Sequence, residues 1–388
     1  MEKLFDNTKV AFAIKSNSEL DRAFYLFEMI KRQPLVKIGT AVTKFALKAY
    51  LPVEGLIRAT VFDHFCGGVT EKDCMPIIDK MYTKKVHSIL DYSAEGKEVE
   101  EHFDLAMEKT LNTIKFGKGE ESLPFSVFKP TGFGRFKIYQ KITEGEKLDA
   151  HEEIEWKRIK ERYNTVSKAA FEADIPLLID AEETWMQTAA DDLIEEMMVK
   201  YNTEKVIIFG TLQLYCWDRF DYLKKLHQRS KEQGFKIGMK LVRGAYMEKE
   251  RERADEYGYK DPICIDKEAT DKMFNDVQEY MINNIDEMAI FSGTHNEESS
   301  YLLMDLIEKH NLARNDKRIW FGQLFGMSDH ISYNAAKEGY NVAKYLPFGP
   351  VRDVMPYLIR RAEENTSVAG QTNRELELLK RERKRRKV

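Results

Sequence analysis

The stretch PLLIDAEETWMQTAADDLIEEMMVKYNTEKVIIFG, residues 176–210, decides the fold. Two short β-rich runs, PLLIDAE at 176–182 and KVIIFG at 205–210, bracket a longer stretch of helical length. That order is the pattern of a β-α-β unit on a parallel sheet. Working outward, the same alternation recurs: VHSILDYS (86–93) and FSVFKP (125–130) come before it, and KIGMKLVR (236–243), MAIFSGTH (288–295), RIWFGQ (318–323) and NVAKYL (341–346) come after. Between the second and third runs, Trp156, Ile159, Tyr163, Val166 and Ala170 recur every three or four residues and fall on one helix face. Eight such units over roughly 260 to 300 residues predict an α/β chain folded as a (β/α)8 barrel rather than a doubly wound sheet.

The flanks read differently. Leu20, Ala23, Phe24, Phe27 and Ile30 have helical spacing before Gln33-Pro34, and KIGTAVTKFALKAYLPVEGLIRAT (37–60) continues in the same vein. The expected organisation is an N-terminal helical arm at 1–84, the barrel at 85–370 and a basic C-terminal tail at 371–388. That tail, NRELELLKRERKRRKV from residue 373 on, has seven basic residues after Leu379 against one acid. It reads as a solvated tail or a fraying helix end. Its functional alternative is attraction to an anionic membrane surface, worth about 1 kcal/mol per Lys or Arg.

Over all 388 residues, 61 Lys and Arg stand against 65 Asp and Glu, a formal charge of -4, which gives no global basic excess for nucleic acid. The four cysteines, Cys66, Cys74, Cys216 and Cys264, form no C-x-x-C pair and read as reduced structural thiols. The first residues have neither the apolar core of a signal peptide nor the acid-poor character of a transit peptide, and no window reaches the roughly 18 apolar residues of a membrane span. The expected location is cytoplasmic, with peripheral attachment to the inner face of the cytoplasmic membrane as the variant the tail suggests.

Parallel barrels carry their chemistry at the C-terminal ends of the strands. Polar residues collect there: Lys129 after the second run, Asp180, Glu182 and Glu183 at the third, Gln213 and Tyr215 after the fourth, Lys240 and Arg243 on the fifth, Thr294, His295 and Asn296 at the sixth, Gln323 on the seventh and Tyr345 on the eighth. Such a ring suits a polar ligand. The sequence has no P-loop, and TGFGRF (131–136) stops at G-x-G because Lys137 stands where a third glycine is required. His295 has no second His or Cys at metal spacing, so no metal site is expected, and no G-x-S-x-G elbow is present. In KLVRGAY (240–246), Gly244 and Ala245 permit close approach of a ligand to the backbone, and a following helix N-terminus favours an anion. Beyond the eighth run, PYLIRRAEEN places Arg360 and Arg361 on a helix that can close over the barrel mouth and grip a carboxylate.

Together LLIDAEE, KLVRGAY, SGTHN, GQLFGMSD and YLPFGPVRDVMPYLIRRAEEN resemble proline dehydrogenase over roughly residues 86–370, closest to the branch that includes the mitochondrial enzymes. The resemblance implies oxidation of L-proline to 1-pyrroline-5-carboxylate by hydride transfer to noncovalent FAD, with electrons passed to a membrane quinone. The product would pass to a separate pyrroline-5-carboxylate dehydrogenase, the chain being read as monofunctional. Carried over by motif, Arg360 and Arg361 hold the substrate carboxylate with Lys129 as a further cation. Tyr345, Tyr357 and Leu324 pack on the proline ring, and Asp180 and Lys240 have catalytic roles. Gln213, Arg243, Gly244, Ala245, Tyr246, Thr294, His295, Asn296, Gln323 and Glu364 match flavin-binding positions. Lys240 departs from the bacterial branch, where Arg is expected.

Three other readings stand beside this one. A hydroxyproline dehydrogenase on the same scaffold would carry a smaller residue at Tyr345. A Schiff-base barrel aldolase would use Lys129 or Lys240 as its amine. A non-enzymatic adaptor at the membrane surface would use the basic tail and leave the polar ring without a purpose.

Overall fold

The computed structural model describes residues 3–32, 34, 36, 39–41, 54–93, 98–367 and 369–388, with the side chains of 56, 59 and 362–372 also outside the description. Eight parallel strands run in chain order as a closed barrel: β1 (Val86–Tyr92), β2 (Phe125–Phe128), β3 (Leu177–Ile179), β4 (Ile208–Gln213), β5 (Ile237–Val242), β6 (Met288–Gly293), β7 (Ile319–Leu324) and β8 (Val342–Phe348). Each overlaps one of the eight apolar runs, because a strand covered on both faces has no need of polar alternation. Among the described residues, the helices of eight or more residues are α1 (Asn17–Ile30), α2 (Glu71–Tyr82), α3 (Glu100–Gly117), α4 (Phe136–Thr143), α5 (Ala150–Ala173), α6 (Thr184–Tyr201), α7 (Arg219–Gln233), α8 (Met247–Tyr257), α9 (Lys267–Asn283), α10 (Glu297–Lys309), α11 (Asp329–Lys337), α12 (Val351–Ser367) and α13 (Ala369–Arg386). None of them is long and apolar enough to cross a membrane.

The chain divides into two compact units, Gly96–Gly322 and Met1–Glu95 with Gln323–Val388. This differs from the arm, barrel and tail expected from the sequence, since the arm, the tail and strands β1 and β8 fall in one unit.

In the Gly96–Gly322 unit, the register aligns Thr211, Lys240 and Phe291 across β4, β5 and β6. Side chains alternate along a strand, so these three share one sheet face. One end of that face is filled by aromatics: Phe125 meets Phe209, Phe291 and Trp320 edge-on, at centroid distances of 5.7, 5.3 and 5.1 Å. Phe125, Phe209 and Phe291 come from β2, β4 and β6, and contribution by alternate strands is how barrel interiors are layered.

In the other unit, α1 starts at a capping box between Ser16 and Glu19 and buries Leu20, Ala23, Leu26, Phe27 and Ile30, the apolar stripe expected of the arm. The stretch 37–60 lies largely outside the described residues. The basic tail is not a loose segment. It forms α13, whose Leu376, Leu378 and Leu379 pack with Ala11, Phe12, Leu20, Ala23 and Phe27. Its cations meet acids of the arm: Arg374 and Arg381 on Asp6, Lys380 on Glu28 and Arg383 on Asp21. The composition signalled solvation because the lone acid Glu382, which is fully buried, and the leucines before it were outnumbered in the count.

Candidate active site

Within Gly96–Gly322, the cationic and anionic residues at the strand ends are assembled by register. Lys240 lies on the face that carries the aromatic layer, is 5% exposed and forms an ion pair with Asp180, just past the end of β3. A buried ammonium requires such a partner. Lys129 follows β2 directly and is half-buried. Next to it, Glu182 is buried and accepts hydrogen bonds from the Thr131 N–H at 2.9 Å and the Thr131 hydroxyl at 2.7 Å. Burial pushes the Glu182 carboxyl up to about 7, against the opposing pull of the Thr131 hydrogen bonds and the Lys129 charge. Gln213, the last residue of β4, donates to the Glu182 carbonyl.

Glu250 on α8 grips Thr184 in the same way, accepting from its N–H at 2.7 Å and its hydroxyl at 2.5 Å. Two buried carboxylates thus tie βα segments together at the strand ends, Glu182 joining those after β2 and β3 and Glu250 those after β3 and β5. Neither Thr131, Thr184 nor Glu250 was singled out from the sequence, because Glu-Thr pairs 51 and 66 residues apart leave no local pattern.

Arg243 is fixed from three sides. Its Nε donates to Asp271 on α9 at 2.7 Å, one terminal nitrogen to the Thr294 hydroxyl at 2.7 Å and the other to Ser299 at 3.0 Å. The guanidinium also lies over the Phe274 ring at 4.5 Å. Burial lowers the affinity of Arg243 for its proton, and Asp271 opposes that effect. Thr294 in turn receives the Asn296 N–H, and Asn296 caps α10 through the Ser299 N–H. Arg243, Thr294 and Asn296 are therefore one connected unit. Asp271 and Ser299 are its unforeseen members. His295 is half-buried beside them.

Gly244 has φ +135°, and a Cβ there would lie 2.4 Å from the Tyr215 ring. Only glycine fits this turn. Gly244 and Ala245 are exposed, leaving backbone accessible to a ligand. A fixed cation and an accessible Gly-Ala backbone together suit the anionic part of a dinucleotide.

In the other unit, Tyr345 on β8 is buried, and its carbonyl accepts the Phe325 N–H at 2.8 Å. Gln323 is buried and accepts from the Ser332 hydroxyl at 2.8 Å. On α12, Tyr357, Arg360 and Arg361 stand at i, i+3 and i+4 and so share a face, with the Arg361 guanidinium 5.2 Å from the Tyr357 ring centre. Tyr357 is buried and Leu324 packs on the same apolar cluster. The Glu364 side chain lies outside the description.

The family profile described as "Proline dehydrogenase" matches residues 74–374. The chain is 35% identical over 353 residues to the "Carbapenem antibiotics biosynthesis protein CarD" of Pectobacterium carotovorum subsp. carotovorum, covering 91% of this chain and 92% of that one. It is 30% identical over 435 residues to "Proline dehydrogenase 1, mitochondrial" of Dictyostelium discoideum, covering 99% and 75%. Against "Proline dehydrogenase 2, mitochondrial" of Arabidopsis thaliana the identity is 30% over 422 residues, covering 97% and 89%. Among solved structures, proline utilization A (PutA) from Bdellovibrio bacteriovorus, inactivated by N-propargylglycine, superposes with a TM-score of 0.72 at 21% identity. That match covers 94% of this chain and 36% of the PutA chain, a likeness of fold.

Proposed function

The chain belongs to the proline dehydrogenase family, and on that premise we propose that it oxidises L-proline to 1-pyrroline-5-carboxylate. The observation that carries the reading is the face of α12 on which Arg360 and Arg361 accompany the buried ring of Tyr357. A rigid apolar ring bearing a carboxylate calls for that combination: guanidinium forks for the carboxylate and an aromatic wall for the ring. Tyr345 and Leu324 extend the wall, and Lys129 adds a further cation.

FAD, bound noncovalently, would supply the hydride acceptor and pass the electrons to a membrane quinone. Arg243, Thr294, Gln213 and the Gly244-Ala245-Tyr246 backbone would hold it, with His295, Asn296 and Gln323, and with Glu364 as the family position. Lys240 contributes a positive charge fixed by Asp180, which needs no reorganisation to stabilise negative charge developing beside it. The same ion pair weighs against an aldolase that uses Lys240, because an amine held by a carboxylate has no lone pair to offer a carbonyl. A buried Tyr345 weighs against 4-hydroxyproline, whose extra hydroxyl needs room and a polar partner. The imine product hydrolyses in water to an aldehyde, so a separate dehydrogenase for that aldehyde is the expected next catalyst. A cytoplasmic location, with peripheral attachment to the inner face of the cytoplasmic membrane as its variant, is part of the same proposal, since quinones partition into the bilayer.

The deciding experiment is an anaerobic spectrum of the purified protein. A flavin band that bleaches on adding L-proline, and more slowly with 4-hydroxyproline, supports the reading. A colourless protein, or a band that proline leaves unchanged, overturns it.

A further inference from the structure

Lys344 is the third residue of β8, flanked by Ala343 and Tyr345, and its side chain is completely buried. Side chains alternate along a strand, so Lys344 and Tyr345 project from opposite faces of β8. The Lys344 ammonium has three N–H donors, and three acceptors surround it: the Met327 carbonyl at 2.7 Å, Asp329 Oδ1 at 2.7 Å and the Leu324 carbonyl at 3.4 Å. All three acceptors belong to one short stretch, the turn from β7 into α11.

The rest of that turn is gripped as well. His64 Nε2 bonds the Gly326 carbonyl at 3.0 Å, and burial holds this imidazole down to about 3, so it is neutral and donates through Nε2. The Phe325 N–H bonds the Tyr345 carbonyl at 2.8 Å, and the Ser328 N–H bonds Glu375 of α13 at 3.2 Å. Asp329 also pairs with Lys15 of the arm at 3.1 Å. Gly326 has φ +80° and a Cβ there would lie 2.4 Å from the His64 carbonyl, while Ser328 is held at φ +51°. A turn with two left-handed residues persists only when its surroundings over-determine it. Here the determinants come from β8, the arm and α13.

We infer that Lys344 is a positioning residue: by holding the Leu324–Asp329 turn to β8, it fixes the Leu324 wall relative to Tyr345 and so sets the fit of the substrate ring. The inference rests on the proposed reading of Leu324 and Tyr345 as proline-contacting residues. A structural role alone, the default for a buried and fully paired lysine, would lower stability and leave substrate affinity unchanged.

The test uses full-length holoenzyme and Lys344→Met, which fills the same space without the charge. The expected result is a KM for L-proline raised about tenfold with kcat changed less than about twofold, the signature of lost ground-state fit. Amide exchange at Phe325 and Ser328 should accelerate by about tenfold in the same variant, with or without substrate. If Lys344→Met does not fold, Asp329→Asn is read instead, with the same directions and about a threefold rise in KM. A loosened turn with an unchanged KM overturns the inference, as does unchanged exchange. If the wild-type protein fails to oxidise proline, the functional reading falls and exchange alone judges whether Lys344 holds the turn.

Discussion

Glu182 holds Thr131 by two hydrogen bonds, at 2.9 Å to its N–H and 2.7 Å to its hydroxyl, and so closes the loop that carries Lys129 two residues earlier. The grip has an energetic peculiarity. A carboxylate in two good hydrogen bonds would ordinarily be held below its usual range, but burial outweighs them and pushes Glu182 up to about 7. The folded protein then binds a proton at Glu182 more tightly than the unfolded chain does. Its contribution to stability is present at acid pH and declines as pH rises from about 4.5 to about 7, the reverse of the usual carboxylate. A change of that size corresponds to about 3 kcal/mol.

Glu182→Gln keeps an acceptor for Thr131 and removes the titration. Melting temperature followed from about pH 5 to about pH 8 should fall less steeply in this variant than in the wild type. Parallel curves would mean that Glu182 does not titrate in this window.

Arg360→Ala and Arg361→Ala should each raise KM for L-proline steeply while flavin content stays unchanged. Removing one charge partner of a bound carboxylate costs about 2 to 5 kcal/mol. Steady-state kinetics with flavin quantified per protein make the comparison. Unaltered KM in both variants would return the pair to an ordinary solvated helix face.

Gly244→Ala should weaken flavin retention more than it weakens the fold. The added methyl would meet the buried Tyr215 ring at 2.4 Å, and φ +135° is open only to glycine, so the turn must shift where ligand approaches the backbone. The measurement is flavin released on gel filtration, with melting temperature alongside. Full retention by the variant would remove this turn from the cofactor site.

The barrel was legible because parallel strands announce themselves as apolar runs, and the site because charges at strand ends interrupt those runs. What stayed hidden was pairing. Nothing near Arg243 points to Asp271, 28 residues on, and nothing near Lys240 points to Asp180, 60 residues back. Nothing in NVAKYL sets Lys344 apart, since a sequence does not say which face of a strand a helix covers. The tail misled for a compositional reason: counting charges hid the acids of the arm that face them.

Helix α13 gives the last prediction, and it revises the expectation of a membrane-seeking tail. Arg386 donates to the Lys15 and Phe12 carbonyls at 2.7 and 2.8 Å and to the buried Glu382 at 2.7 Å. Glu382 also receives Arg385 at 2.7 Å, and Lys380, Arg381 and Arg383 meet Glu28, Asp6 and Asp21. Five of the seven cations are held by these contacts, which leaves the attraction for lipid mainly to the exposed Lys384 and Lys387, whereas hydrogen bonds to charged groups are worth about 1.5 to 3 kcal/mol each when broken. Removal of residues 380–388 should therefore lower the melting temperature, and Arg386→Ala should reproduce much of that loss. Cosedimentation with anionic vesicles should change little at low salt, where a screened attraction would be largest. A truncated protein as stable as the full chain, with vesicle binding lost, would reverse the conclusion and make α13 a membrane contact after all.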